Sequence, residues 1–338
     1  MQCPRFFATL APAFASLLLL SGSMLHGQTY KVVAEYKLPN ASARGLAVDS
    51  DGRRLFIAAG NGVTVLNADT GAVLATIDGL KDAQEVLLIP ELKGEDPAPS
   101  THGFASDAAG HVMAFSVPTM KRTGMATMEA PGMTSICYDK FADKLEAVSG
   151  GGAIATLDTD SGKVEKAGRI STGPGQIACG TKAQVYVADT AANVVHVLNH
   201  DTLKNDGDLP MKSGSRPNGI TLDTRGRRLF VSCEDGTIEI IDTDAGFTFI
   251  ELQGGKGAAH ETFAWLPQGK GQWKAAAFIA QSDGTLSGVR MMAYINYIMG
   301  GQFKLPAGIR GIAYDNKTHH LFLTATENGA ARVLVAGY

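Results

Sequence analysis

The stretch that decides the fold is RPNGITLDTRGRRLFVSCEDGTIEIIDTDAG, Arg216 to Gly246. Short β-type runs in it are each closed by an Asp- and Gly-rich turn, the residues that reach positive φ at little cost. Alone it is too small to fold. Nearly the same pattern stands at Arg44 to Gly71, RGLAVDSDGRRLFIAAGNGVTVLNADTG, so the pattern is one unit of a repeat.

Taking the residue that closes the third run of each unit gives Asn67, Ser116, Asp158, Asn199, Asp242 and, in a weaker copy, Arg290, at spacings of 41 to 49 residues. A second series, GLAVDSDGRRLF, SICYDKFADKLE, GITLDTRGRRLF and GIAYDNKTHHLF, marks the first strand and its turn. A period of this length with four short strands per unit predicts a propeller blade rather than a solenoid. First strands near Gly45, Val86, Ile136, Ile177, Ile220, Phe263 and Ile312 count seven blades. Their small residues, among them Gly45, Ala47, Gly219, Gly311 and Ala313, suit a crowded axis. The last blade runs out one strand short at ARVLVAGY, while KVVAEYKLP, Lys31 to Pro39, is a β-type run with no blade of its own. Pairing the two closes the ring and removes its open edges. The expected fold is all-β: one seven-bladed β-propeller of four-stranded blades over 28–338, with 28–40 as the closing strand of the last blade.

The start of the chain reads differently. Arg5 precedes an apolar run from Phe6 to Leu20, followed by small and polar residues. That run is short for a membrane span, which takes about 20 residues, and has the layout of a secretory signal. Residues 1–27 are expected to be a cleaved signal peptide, the mature chain exported to a periplasm or secreted, with no membrane span. Without Arg5 the charge is near −4. No basic stripe is present, which argues against nucleic acid as a partner. Cys137, Cys179 and Cys233 remain after cleavage; three cysteines permit at most one disulfide and a free thiol, and buried thiols are the expectation.

The unit PNGITLDTRGRRLFVSCEDGTIEIIDTDAG resembles the YVTN-repeat, YncE-like family of bacterial seven-bladed propellers, whose repeat runs roughly PxGIAVxPDGxxLYVANxxDGTVSVIDTxTG. The likeness is sharp in blades 1, 5 and 7, fair in 3 and 4, and poor in 2 and 6, which carry the insertions ELKGEDPAPSTHG and LPQGKGQWKAAAF. The resemblance implies an extracytoplasmic binding or scaffold protein more often than an enzyme. There is no Trp-Asp repeat signature.

In such a ring the residues entering the first strands converge on one mouth of the central channel: Arg44, Gln84 or Glu85, Thr134, Gln176, Asn218, Glu261 and Arg310. Arg44 and Arg310 fall in blades 1 and 7, neighbours in a closed ring. Two adjacent guanidiniums need an anion, a carboxylate such as Glu261, or water between them. The expected function is therefore a non-enzymatic scaffold that binds a small anionic ligand at this mouth, or a protein or peptide partner, with no cofactor. The alternative is a metal-dependent hydrolase, lactonase or lyase at the same mouth. Pro217–Gly219, PNG, is similar to the metal-binding Asn segment of gluconolactonase propellers, and Asn218, His260 and Glu261 are the candidate ligands for one divalent cation. Three further patterns invite a site. ADTG at Ala68–Gly71 resembles an aspartic-protease triplet, but its counterparts TDSG, HDTL and TDAG make it a turn. Asp158-x-Asp160-x-Gly162 and Asp242-x-Asp244-x-Gly246 begin like calcium loops and lack the closing Glu. His111 with Met113, Met120, Met125, Met128 and Met133 offers soft donors for Cu(I), or simply fills core gaps.

Overall fold

The computed structural model describes residues 30–337, except 94–95, 130, 171–172, 181, 268–272 and 294–295. The expected leader, 1–27, lies outside the described residues. Twenty-eight strands form seven four-stranded antiparallel sheets, and among the described residues there is no helix. The inner strands, in blade order, are Ala43–Asp49, Ala83–Lys93, Met133–Asp139, Pro174–Cys179, Pro217–Asp223, Ala259–Pro267 and Ile309–Tyr314. Each packs beside the next, and that of blade 7 returns to that of blade 1. The closing strand, Lys31–Lys37, pairs antiparallel with Ala330–Gly337 as the outermost strand of blade 7, with Lys31 opposite Gly337 and Lys37 opposite Arg332. The seven-bladed propeller with an N-terminal closing strand is thus the fold. The insertions of blades 2 and 6 lengthen their inner hairpins: Ala83–Lys93 pairs with Asp96–Asp107, and Ala259–Pro267 with Trp273–Gln281.

Stacking decides the burial pattern. Second and third strands are covered on both faces, so they read as near-continuous apolar runs; Leu55, Phe56, Ile57, Val63, Val65 and Leu66 of blade 1 are all fully buried. Outer strands are mostly exposed, as in blade 1's Val73–Asp78. Seven apolar cores result, one per blade interface. Phe56 and Phe115 stack at 5.5 Å between blades 1 and 2, and Phe278 and Tyr314 at 5.8 Å between blades 6 and 7, where Tyr30 joins them. Fully burying each such side chain contributes about 1.5–3 kcal/mol. Six blades place an aromatic ring on the second strand, at Phe56, Phe104, Tyr186, Phe230, Phe278 and Phe322. Blade 3 has Glu146 there; its carboxylate accepts from Thr156 Oγ1 at 3.0 Å and lies 2.8 Å from His200 Nδ1. Burial pushes its pKa up to about 8.

The repeated aspartate that ends the inner strand has one job in four blades. Asp49, Asp139, Asp223 and Asp315 are buried and accept turn N–H groups from Gly52, Phe141, Arg225 and Lys317 at 2.8–3.1 Å. ADTG is likewise a turn: Asn67 Oδ1 accepts from the N–H groups of Asp69 and Thr70, and Gly71 closes it at φ 71°. The two Asp-x-Asp stretches cap turns in the same way, through Asp158 to Ser161 and Asp242 to Asp244.

One expectation about soft side chains needs correction. Cys137 and Cys179 are not free thiols: they form a disulfide between the inner strands of blades 3 and 4, with Cα atoms 5.7 Å apart. Their separation of 42 residues is about one repeat, which carries equivalent stretches of chain to neighbouring places on the axis. Cys233 is a buried free thiol, as expected. The methionines that the structure describes include two that fill core gaps, one of the two readings of that cluster. Met113 is in the core between blades 1 and 2, Met128 in that between blades 2 and 3, and Met125 is exposed. His111 is bound to Asp107 at 2.8 Å, and the Met133 side chain is outside the described residues.

Candidate functional site

The inner strands enclose a cavity of about 410 Å³ on the axis, lined by residues of all seven blades. Its shape follows from the register of the inner hairpins. In six blades the inner strand carries a β-bulge close to its start, as between Ala43 and Leu46 or Pro217 and Gly219. The inner strand of blade 6 pairs without one, Ala259 to Gln281, His260 to Ala280 and Glu261 to Ile279. Losing the extra residue moves the rest of that strand by one place. His260 therefore stands level with Gly45, Glu85, Ser135, Gln176, Gly219 and Gly311. Glu261 stands one step deeper, where the other blades have Leu46, Val86, Ile136, Ile177, Ile220 and Ile312.

This sorts the residues expected at the mouth into layers. Arg44, Gln84, Asn218 and Arg310 hold the outermost place. Gln176 is one step down and Glu261 two; the side chain of Thr134 is outside the described residues. At the rim, Arg44 Nη2 meets Asp82 Oδ2 at 3.4 Å, and Gln84 Nε2 donates to the same carboxylate at 3.0 Å and to the Asp82 carbonyl at 2.7 Å. Arg310 is exposed and has no ion-pair partner among the described residues. The anticipated Glu261–Arg310 pair does not form, because the bulge-free register sinks Glu261 below the rim. Its Oε1 instead accepts a hydrogen bond from Ser232 Oγ, and its buried Oε2 has no protein partner. Asn218 Oδ1 accepts from the Ala259 N–H at 3.2 Å and so links blades 5 and 6.

Gln176 spans three blades. Its Oε1 accepts from the Ile220 N–H at 3.3 Å, and its Nε2 donates to the Ala259 carbonyl and to His260 Nδ1, both at 3.2 Å. At Gly219 the space is tight: a Cβ would meet Ala259 Cβ and Glu261 Oε1 at 2.9 Å. Gly45 makes the same kind of room, since a Cβ there would meet Glu85 Oε1 at 2.7 Å. The crowded axis explains the small residues of the first strands.

Enclosure sets the charge states. Desolvation pushes Glu85 and Glu261 up to about 8, the Ser232 hydrogen bonds partly opposing this at Glu261. His260 is pushed down to about 4 by desolvation and then by the fields of Arg310 and Arg44. The imidazole is therefore neutral at pH 7, with Nδ1 accepting from Gln176 Nε2. The carboxyls bind their protons more tightly folded than unfolded. Their contribution to stability is full below the ordinary carboxylate range and lost as pH rises to about 8. Thermal midpoints should therefore fall from pH 5 to pH 8, and Glu85→Gln with Glu261→Gln should flatten that slope; an unchanged slope would refute the assignment.

Sequence reasoning reached Arg44, Gln84, Gln176, Asn218, His260, Glu261 and Arg310, and offered Glu85 beside Gln84. It missed Asp82, whose only signal is its place just before an inner strand, and the disulfide, which forms part of the cavity wall. Of the candidate cation ligands, Asn218 Oδ1 accepts from the Ala259 N–H and His260 Nδ1 from Gln176, while Glu261 Oε2 has no protein partner among the described residues. Among the described residues no group of three His, Cys, Asp or Glu side chains is placed to hold a metal ion. Among the described residues no helix is long and apolar enough to cross a membrane.

No protein-family model matches the sequence, and no curated protein matches it. Among solved structures, a chain from "Crystal Structure of Mitotic Checkpoint Complex" is similar with a TM-score of 0.73 and 12% identity, over 100% of this chain and 99% of that one. At that identity the likeness establishes the propeller fold alone.

Proposed function

We propose that this chain is a YVTN-repeat, YncE-like propeller that acts outside the cytoplasm as a non-enzymatic binding protein and holds a small anionic group at the channel mouth. The single observation that carries it is the pair Arg44 and Arg310 above a neutral His260. Arg310 has no carboxylate among the described residues, and Arg44 meets its only one at 3.4 Å with its side chain 37% exposed. Two guanidiniums in one sector, largely unneutralised, are the arrangement that recognises a carboxylate or phosphate. The repeat motifs support the family. The Cys137–Cys179 disulfide supports export, since disulfides persist in oxidising compartments, and it agrees with a cleaved leader over 1–27. A propeller also offers its loops to protein partners, and an anionic side chain or terminus of such a partner fits the same two arginines.

The protein does this without a resident cofactor, which elemental analysis after chelator-free purification checks; one tightly held divalent cation would overturn that point. Binding itself is tested by isothermal titration with inorganic phosphate and succinate. A charge-assisted hydrogen bond contributes about 1.5–3 kcal/mol, so Arg310→Ala should weaken the better anion at least about tenfold, and Arg44→Ala similarly. Arg310 is exposed, so its removal should leave the unfolding midpoint nearly unchanged. Undetectable binding of both anions, or binding indifferent to both substitutions, would sink the proposal.

A further inference from the structure

The rim accounts for the arginines but not for what lies under them. Glu85 and Glu261 line the cavity, and neither has an ion-pair partner among the described residues. Glu85 is laid over Gly45, and Glu261 takes a register place that six other blades fill with an aliphatic side chain. An acid at such a place is expensive to keep unless something answers it. The protein answers one oxygen of Glu261 with Ser232 and leaves the other buried without a partner. Guanidiniums and an acid are thus held in separate layers: the guanidiniums at the outermost place of blades 7 and 1, a carboxyl two register steps down in blade 6, roughly 7 Å along a strand. Leu87, Leu88, Ile136, Ile177 and Ile220 line the cavity as well, an apolar wall suited to a short hydrocarbon segment.

We propose that the channel takes a small zwitterion, its anionic end held by Arg44 and Arg310 at the rim and its ammonium end by Glu261 below, with Glu85 as a second acidic wall. This rests on the anion site proposed above and adds the chemistry of the ligand's other end. An ammonium group donates to the carboxylate that the protein leaves half-answered, and the apolar wall packs the carbons between the two charges. Because Glu261 is protonated in the empty channel at neutral pH, seating an ammonium ion displaces that proton to solvent. Zwitterion affinity must then rise with pH toward about 8. A plain carboxylate has no such release. Its affinity is flat or falls over the same range.

The test is isothermal titration of the intact mature chain with ω-amino acids from glycine to 6-aminohexanoate, each against the carboxylate of equal length, at pH 6 and pH 8. The expected result is at least a tenfold preference for the amino acid at one chain length, larger at pH 8, and removed by Glu261→Gln. Net proton release at pH 7, read as a buffer-dependent heat, should accompany binding of the amino acid. Equal affinities, or a preference that survives Glu261→Gln, would overturn the zwitterion while leaving the anion site standing if Arg310→Ala still weakens both series. Binding of neither series would overturn both. A circular-dichroism melt of Glu261→Gln separates loss of the site from loss of the fold, and rescue of the preference by Glu261→Asp at another chain length would mark the carboxylate itself as the recognising group.

Discussion

Replacing Cys137 and Cys179 together by serine should lower the stability of the mature protein by about 4 kcal/mol, the chain-entropy value for a link that closes a loop of this length. The disulfide ties the inner strands of blades 3 and 4 across 42 residues, so without it the unfolded chain gains the freedom to separate two points a whole repeat apart. The folded state loses little, because both residues lie on strands already packed side by side. The effect should appear as a lower midpoint in chemical denaturation with a somewhat steeper slope, because the unlinked chain exposes more surface on unfolding, and wild-type protein unfolded under reductant should behave like the double variant. A shift of under 1 kcal/mol would show that the link constrains little in the unfolded chain. The sulfurs also line the cavity, so the same variant should be titrated with anions, where no loss of affinity is expected beyond that caused by unfolding.

The second large effect is expected at the seam where the ring closes. Asp315 is fully buried at the end of the inner strand of blade 7, and it accepts from Arg53 Nη1 of blade 1 at 2.6 Å, from Thr318 Oγ1 at 2.6 Å and from the Lys317 N–H at 3.1 Å. Asp315→Ala should cost about 3 kcal/mol, the lower end of the range for breaking a buried pair, because Arg53 keeps its bond to Asp69 at 2.6 Å. The exposed partner makes the control: Asp69→Ala should cost under about 1 kcal/mol. The pH dependence has a definite sign. Desolvation alone would raise the Asp315 pKa, but hydrogen bonds from Ser50, Thr318 and Arg53 outweigh it and hold the carboxyl below the ordinary aspartate range. Its contribution is present above the unfolded value of about 4 and disappears as pH falls through the folded one. Wild type should therefore lose stability in acid more steeply than Asp315→Ala. Parallel acid curves would refute the role given to this residue.

Lys31–Lys37 is mostly exposed, yet it is the strand that joins the two ends of the sequence. Tyr30, just before it, is buried against Phe278 and Phe303 between blades 6 and 7. The terminal segment thus fastens one sheet by backbone pairing and a neighbouring interface by an aromatic ring.

The legible part of this protein was whatever repeats. GITLDTRGRRLF and GLAVDSDGRRLF announce an inner strand, a turn and a second strand; their aspartates cap those turns and their aromatics fill the blade interfaces, because each copy meets the same surroundings. The missing fourth strand of blade 7 and the ownerless run Lys31 to Pro39 likewise predict each other, since an unpaired edge is costly in any ring. Blade number, closure and the identity of the mouth residues Arg44, Gln84, Asn218 and Arg310 all follow from period and pattern.

What breaks the repeat depended on tertiary structure. A missing bulge is one residue out of register, and no composition or spacing marks it in AAHETFAWLP, yet it drops Glu261 from the rim into the cavity and forbids its pairing with Arg310. Glu146 in place of an aromatic makes sense only beside His200, which a neighbouring stretch of chain supplies. Cys137 and Cys179 look like two cysteines of an odd three until the inner strands lie side by side. Sequence by itself determined the propeller, because a local pattern repeated seven times needs only its own period to declare itself. Tertiary structure alone decided the depth, pairing and protonation of the channel groups, because those depend on register and enclosure, which arise only when separate blades meet around one axis.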